Sequence, residues 1–344
     1  MTAANKPIIT WLLTGCILIY VMVVVGGITR LTHSGLSMVE WNMLLGTLPP
    51  STDGDWDVLF DKYKQSPEFK ELNYDFTRED FKSIFWWEYI HRFIGRLIGV
   101  VFIIPLLYFL WRKKINTSDF SKFLVLLLLG AFQGVLGWYM VKSGLSKNPY
   151  VSHYRLAAHL ISAFTVFGVT FWVALGYIYP KSETGTPQKK LFRLSVLLLL
   201  IVSLQIVYGA FVAGLKAGYY YPTFPKMGNS WIAEGVTYLQ PFYINFLEGI
   251  AGVQFVHRYL AYVVFIVVLV IWAQTRKPDF TGDSIKKAAN ALLTIVSIQF
   301  VLGVLTILYS VPVVLGVLHQ TGAFFLFAAC VFFLFFANQT KTID

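Results

Sequence analysis

Four histidines sit at matching depths in apolar runs of the chain, His91 and His159 in its first half, His257 and His319 in its second. Each lies about four to seven residues in from the same end of its run, which is roughly 6–10 Å of helix at 1.5 Å per residue. A polar ring at that depth in a bilayer is costly and by default marks a functional site. Two imidazoles opposed at one level are the donors that grip haem iron from both faces. Arg92 and Arg258 follow two of these histidines on the side nearer the outer surface. There a guanidinium is suited to haem propionates, and plain anchoring at the interface is the alternative. Gly95, Gly99, Gly249, Gly252, Gly316 and Gly322 read as room for a bulky macrocycle, although small residues also serve ordinary helix packing. His33 and His153 stand at loop edges and read as solvated.

The two halves differ at one position. Glu88 stands three residues before His91, whereas Gln254 stands three before His257. Spacing of i, i+3 puts both side chains on one helix face. A carboxylate beside a macrocycle edge can move protons or stabilise developing positive charge. The spacing alone equally allows Glu88 to cap the helix mouth or pair with an arginine. A neutral amide at Gln254 suits a cofactor that stays in place.

These residues need elements that span a membrane. Of 344 residues 56% are hydrophobic and 13% charged, far from ordinary soluble usage. Apolar runs of spanning length recur at about 8–28, 87–111, 121–141, 154–179, 191–213, 250–273, 288–309 and 313–337, and none alternates as a barrel strand does. The expected fold is an all-α polytopic membrane protein of eight transmembrane helices. HRFIGR at 91–96 corresponds to HRYLAY at 257–262, and Gln133 in QGVLG to Gln299 in QFVLG. The repeat predicts two pseudo-symmetric four-helix bundles, residues 1–180, with a long outer loop at about 29–86, and residues 190–340. Bundles of this kind hold cofactors between facing helices.

Basic residues fall in every second short loop: Arg112, Lys113, Lys114 and Lys122; Lys181, Lys189, Lys190 and Arg193; Arg276, Lys277, Lys286 and Lys287. The positive-inside rule places those loops, and with them both termini, in the cytoplasm. The net charge of +10 then reflects topology and anionic lipid rather than nucleic acid. The long first loop is acidic, and its stretch from Ser51 to Ser83 is expected to form a helical cover over the first pocket. The N-terminus, too short for an Arg-rich transit peptide, points to a bacterial inner membrane. Cys16 and Cys330 fall inside apolar runs and read as small core residues.

Seven blocks carry a family resemblance: GGITRLTHSGLSMVEW, FWWEYIHRFIGR, YRLAAHL, GAFVAGLKAG, FPKMGNSW, VQFVHRYLAY and LHQTGAF. In this order, over nearly the whole chain, they resemble haem A synthase, in the branch without a cysteine pair in an outer loop. The resemblance implies an eight-helix oxidoreductase that converts the C8 methyl of haem O to a formyl group by successive hydroxylations, giving haem A for terminal oxidases. Carried over by motif, His91 and His159 ligate or position the substrate haem, Glu88 is the catalytic carboxylate, and His257 and His319 ligate a resident haem B. A haem O synthase and cytochrome oxidase assembly are the implied partners. The electron donor stays open, and membrane-embedded glycines permit homo-oligomers. The competing reading is a dihaem b-type electron-transfer protein, which explains the histidines but not a carboxylate in one half only.

Overall fold

The computed structural model describes residues 5–40, 48–146, 149–179, 189–278 and 283–339; Trp41 of the SGLSMVEW block and Lys181 lie outside them. The chain folds into helices α1 (Lys6–Leu31), α2 (Asp53–Lys64), α3 (Pro67–Glu71), α4 (Arg78–Trp111), α5 (Thr117–Gly144), α6 (His153–Ile178), α7 (Lys189–Gly214), α8 (Ile250–Gln274), α9 (Asp283–Leu308) and α10 (Val313–Gln339). Eight of them, all but α2 and α3, are long and apolar enough to cross a membrane. No strand forms among the described residues; the one bridge pairs Met227 with Ser230. The chain is a polytopic all-α membrane protein.

The largest departure from the expected spans is at α4, which begins at Arg78 rather than near Trp87. The reason is local. Thr77 caps the helix: its hydroxyl accepts from the Asp80 N–H, and the Asp80 carboxylate accepts from the Thr77 N–H. Such reciprocal capping satisfies two orphan donors and starts a helix where hydropathy alone gives no signal. Thr52 and Asp55 start α2 in the same way. The added turns of α4 are amphipathic. Phe81, Ile84, Phe85 and Tyr89 bury one face against Trp56 and Tyr63 of α2. Met38, Val39, Phe60 and Phe69 complete this cluster, so α2 and α3 form a helical layer on the start of α4.

The described residues fall into two compact units. One runs from Ile17 to Ala163; the other joins the start of α1, as far as Cys16, to everything from Phe164 onward. In the second unit α7 packs on α8, α8 on α9, α9 on α10 and α10 back on α7, closing a four-helix ring. The later part of α6 lies on α10, where Gly168 admits the ring of Phe327 and Phe167 meets Phe324 at 4.3 Å between centroids. In the first unit α1 meets α4 at Gly26 against His91, and α5 meets α6 at Gly137 against His159. Between α7 and α8 the chain makes three 3-10 turns, Ala217–Tyr219, Glu234–Thr237 and Phe242–Phe246. Buried Asn245 ties that segment together, accepting from the Leu239 N–H and donating to the Leu239 and Phe242 carbonyls.

Candidate functional site

Glu88 is 3% exposed, and its carboxylate is fully engaged. One oxygen, Oε2, accepts from the Ser37 hydroxyl at 2.7 Å and the Met38 N–H at 2.8 Å. The other, Oε1, accepts from Arg92 at 2.5 Å. Every partner is a donor, the surroundings an anionic carboxylate requires when it leaves water. Arg92 also donates to the carbonyls of Met38 and Glu40, each at 2.8 Å. The 37–40 segment and α4 are therefore bound through one carboxylate and one guanidinium. The same-face spacing read from the sequence is present, and the pairing of Glu88 with an arginine is present with it.

Gln254 occupies the corresponding position in the second half. It is 1% exposed, and neither amide atom has a hydrogen-bond partner. Arg258 does not turn to it. Its guanidinium donates to the carbonyls of Tyr221, Thr223 and Lys226, so it clamps the 221–226 loop as Arg92 clamps 38–40. Both arginines thus hold loops, a role their spacing did not reveal. Arg258 Nε remains buried and without a partner.

The four histidines come together as pairs. The rings of His257 and His319 stand 6.3 Å apart between centroids, nearly perpendicular at 86°. That separation leaves room for one iron atom between the two rings, which would be held by an imidazole nitrogen from each side. His91 and His159 lie within electrostatic reach of each other. The second half also collects buried polar atoms without partners: both amide atoms of Gln254, Oε1 of Gln205 and Gln299, His257 Nδ1 and Arg258 Nε. Native interiors rarely leave such groups unpaired. A haem between His257 and His319 fits this lining, with two ring ligands and unused donors near them.

A glycine faces each histidine. A Cβ at Gly26 would meet His91 at 3.2 Å, one at Gly137 would meet His159 at 3.2 Å, one at Gly209 His257 at 3.2 Å, and one at Gly303 His319 at 2.9 Å. None of these was singled out from the sequence. Of the glycines expected to admit a macrocycle, three are used otherwise. Gly249 and Gly252 face the main chain of Asn245, Gly322 faces Gln299, and Gly95 faces Met22; Gly99 meets nothing within 4 Å. The glycines at 249, 252 and 322 are taken up by protein, because a loop and a glutamine fill the space beside them. His33 is exposed and left-handed at φ 53°. His153 starts α6 and stacks on Tyr154. Neither joins the site.

A family model described as "Cytochrome oxidase assembly protein", COX15-CtaA, matches residues 9–331. The chain belongs to this family. A protein of Flavobacterium johnsoniae named "Heme A synthase" is 49% identical over 340 residues, covering 97% of this chain and 98% of that relative. Proteins of the same name from Flavobacterium psychrophilum and Nitrosospira multiformis are 50% and 45% identical, covering 96% and 95% of this chain and 98% and 92% of their own. For a COX15-CtaA member, Ser37 is the residue that the sequence reading passed over. It lies in the SGLSMVEW block, which was legible as a motif but not as the hydrogen-bonding arm of Glu88.

Proposed function

We propose that this chain is a haem A synthase, an oxidoreductase that takes haem O as substrate and releases haem A. The observation that carries the reading is the contrast between Glu88, held by Ser37, Met38 and Arg92, and Gln254, which has no such arm. On this reading the first half-repeat is catalytic and the second stores a cofactor, the division into 1–180 and 190–340 read from the sequence. His91 and His159 hold the substrate haem. His257 and His319 hold haem B, and the buried Arg258 Nε–H, which has no protein partner, donates to a propionate. Haem B, when bound, supplies one-electron transfer.

Glu88 acts at the C8 methyl: two successive oxidations, each adding the oxygen of one water and giving up two protons and two electrons to an external acceptor, lead to an alcohol and then a geminal diol, which loses water to leave the aldehyde. Its anionic form, held by donors on both oxygens, stabilises positive charge developing at that carbon. Arg92 and Ser37 fix the carboxylate so that it does not reorganise as charge develops. The α2–α3 layer packs on Phe85 and Tyr89, the residues flanking Glu88 on α4, and keeps water from that end of the site. The basic loops support a bacterial inner membrane with both termini in the cytoplasm, and a haem O synthase is the enzyme that must supply the substrate.

The test is chromatography of haem extracted from cells that make haem B and haem O but no haem A, with and without this chain. Haem A or hydroxylated haem O appearing with the wild type and lost in Glu88→Gln supports the reading. Haem B alone, with folded protein present, overturns it in favour of a dihaem electron-transfer protein.

A further inference from the structure

One spacing recurs behind three of the four histidines and fails behind the fourth. Gln133 and Gly137 on α5 face His159, Gln205 and Gly209 on α7 face His257, and Gln299 and Gly303 on α9 face His319. In each case the glycine makes room for the ring, and the glutamine one turn away donates to the histidine's own main-chain carbonyl. Those bonds measure 3.0 Å to His159, 2.9 Å to His257 and 2.9 Å to His319. Gln133 and Gln299 also bring Nε2 to 3.2 and 3.1 Å from the ring Nδ1. A helix carbonyl has a second lone pair after its own ladder bond. A side chain from the neighbouring helix on that lone pair locks the backbone that carries the ligand. Groups behind a metal ligand of this kind fix its position and tune its grip.

The residue one turn before Gly26, which faces His91, is Met22. A thioether cannot donate, and methionine is the most adaptable of the large apolar side chains. Its methyl group lies 3.6 Å from where a Cβ on Gly95 would stand, one turn along α4 from His91. His91 therefore has the glycine that admits its ring and lacks the latch that holds the other three. It is also the only one of the four to set Nε2, rather than Cε1, closest to its glycine.

We propose that Met22 leaves His91 as the exchangeable ligand of the first bundle, so that the α1 side of that site opens for substrate and product haem while His159 stays fixed. This rests on the reading above that the first bundle turns over its haem and the second keeps one. A resident cofactor gains from ligands latched on both sides, as Gln205 and Gln299 provide. A substrate that must leave after every cycle gains from one latched ligand and one that yields. Met22 and Gln205 are thus positioning residues that set haem residence.

The experiment uses the full chain in lipid nanodiscs, loaded with two equivalents of haem B as probe, and follows haem transfer to excess apomyoglobin by absorbance. The wild type is expected to release haem in a fast and a slow phase. One added net hydrogen bond shifts such an equilibrium by about five- to tenfold. Met22→Gln should slow the fast phase by about that factor with the slow phase unchanged, and Met22→Leu should leave both as they are. Gln299→Met should speed the slow phase by a similar factor, which tests the latch even where Met22→Gln folds poorly. Two phases that neither Met22→Gln nor Gln299→Met alters overturn the latch and leave the substrate-and-resident reading standing. A wild type that holds both haems equally tightly overturns that reading and the proposal with it.

Discussion

Replacing Glu68 by Gln should make the α2–α3 layer insensitive to pH over the range where the wild type loosens. Glu68 is 5% exposed at the start of α3. The Tyr63 phenol donates to its Oε2 at 3.1 Å, and the Asn73 amide donates to the Tyr63 oxygen at 2.7 Å. Burial pushes the Glu68 carboxyl from an ordinary 4.5 up to about 7, with the Tyr63 hydrogen bond opposing the rise and the negative charge of Glu88 adding to it. A carboxyl raised by folding is most at ease protonated. Its contribution is full below about pH 4.5, is lost as pH rises toward 7, and falls no further above that. A shift of about 2.5 units corresponds to roughly 3 kcal/mol between the two ends of that window. The Glu68 layer is small enough to open without the membrane helices. Hydrogen exchange of peptides from 53–72 should therefore accelerate up to about 100-fold from pH 5 to pH 8, after correction for intrinsic rates. In Glu68→Gln the corrected rates should be flat. An equal pH dependence in Glu68→Gln, or none in the wild type, would refute the assignment of this carboxyl as the titrating group.

Three further substitutions probe the site and its supports. Ser37→Ala removes one of the bonds to Glu88 and should lower haem A formation by about tenfold, since hydrogen bonds to charged groups are worth about 1.5–3 kcal/mol. Bound haem B should be unchanged, and turnover within twofold of wild type would show that Ser37 does not position the carboxylate. In Gly252→Ala the new Cβ would run into the Asn245 main-chain oxygen, with no flexible side chain to give way. A loss of about 3 kcal/mol or more is expected, read as a lower melting temperature of the haem-loaded protein; an unchanged melt would contradict the close approach. Arg258→Gln gives up the clamp on Tyr221, Thr223 and Lys226. Trypsin should then cut faster after the exposed Lys226, and equal cutting would mean that the loop holds itself.

What was legible in the sequence is what depends on one dimension. Span length, histidine depth and the i, i+3 relation of Glu88 to His91 are properties of a helix taken alone. The start of α4 was missed because its first turns are held by a capping box and an aromatic layer rather than by lipid. Ser37 was missed because its partner lies 51 residues away, and only the folding back of the 37–40 segment joins them. The glycines failed differently. A glycine records that something approaches closely, but not what, so Gly249 and Gly252 looked like haem contacts when they receive a loop. The glycines that do face the histidines were findable. Each of three has a glutamine one turn earlier, and a polar residue paired with a small one at i+4 on a spanning helix marks a face turned to protein rather than lipid.

The two halves share one scaffold and differ in which partners it can offer. A carboxylate at 88 is tolerable because Ser37, Met38 and Arg92 all donate to it. The same group at 254 would meet no counterpart of the Ser37 hydroxyl or the Met38 N–H, since neither amide atom of Gln254 has a hydrogen-bond partner. The glutamine there is neutral, so its burial without partners costs far less than a buried charge would. The distribution of latches follows the same division. The half with the carboxylate carries Met22 behind one of its histidines, and the half with the amide has a glutamine behind each. On the proposed reading, turnover in the first half uses the charged group and the yielding ligand, and storage in the second half needs neither.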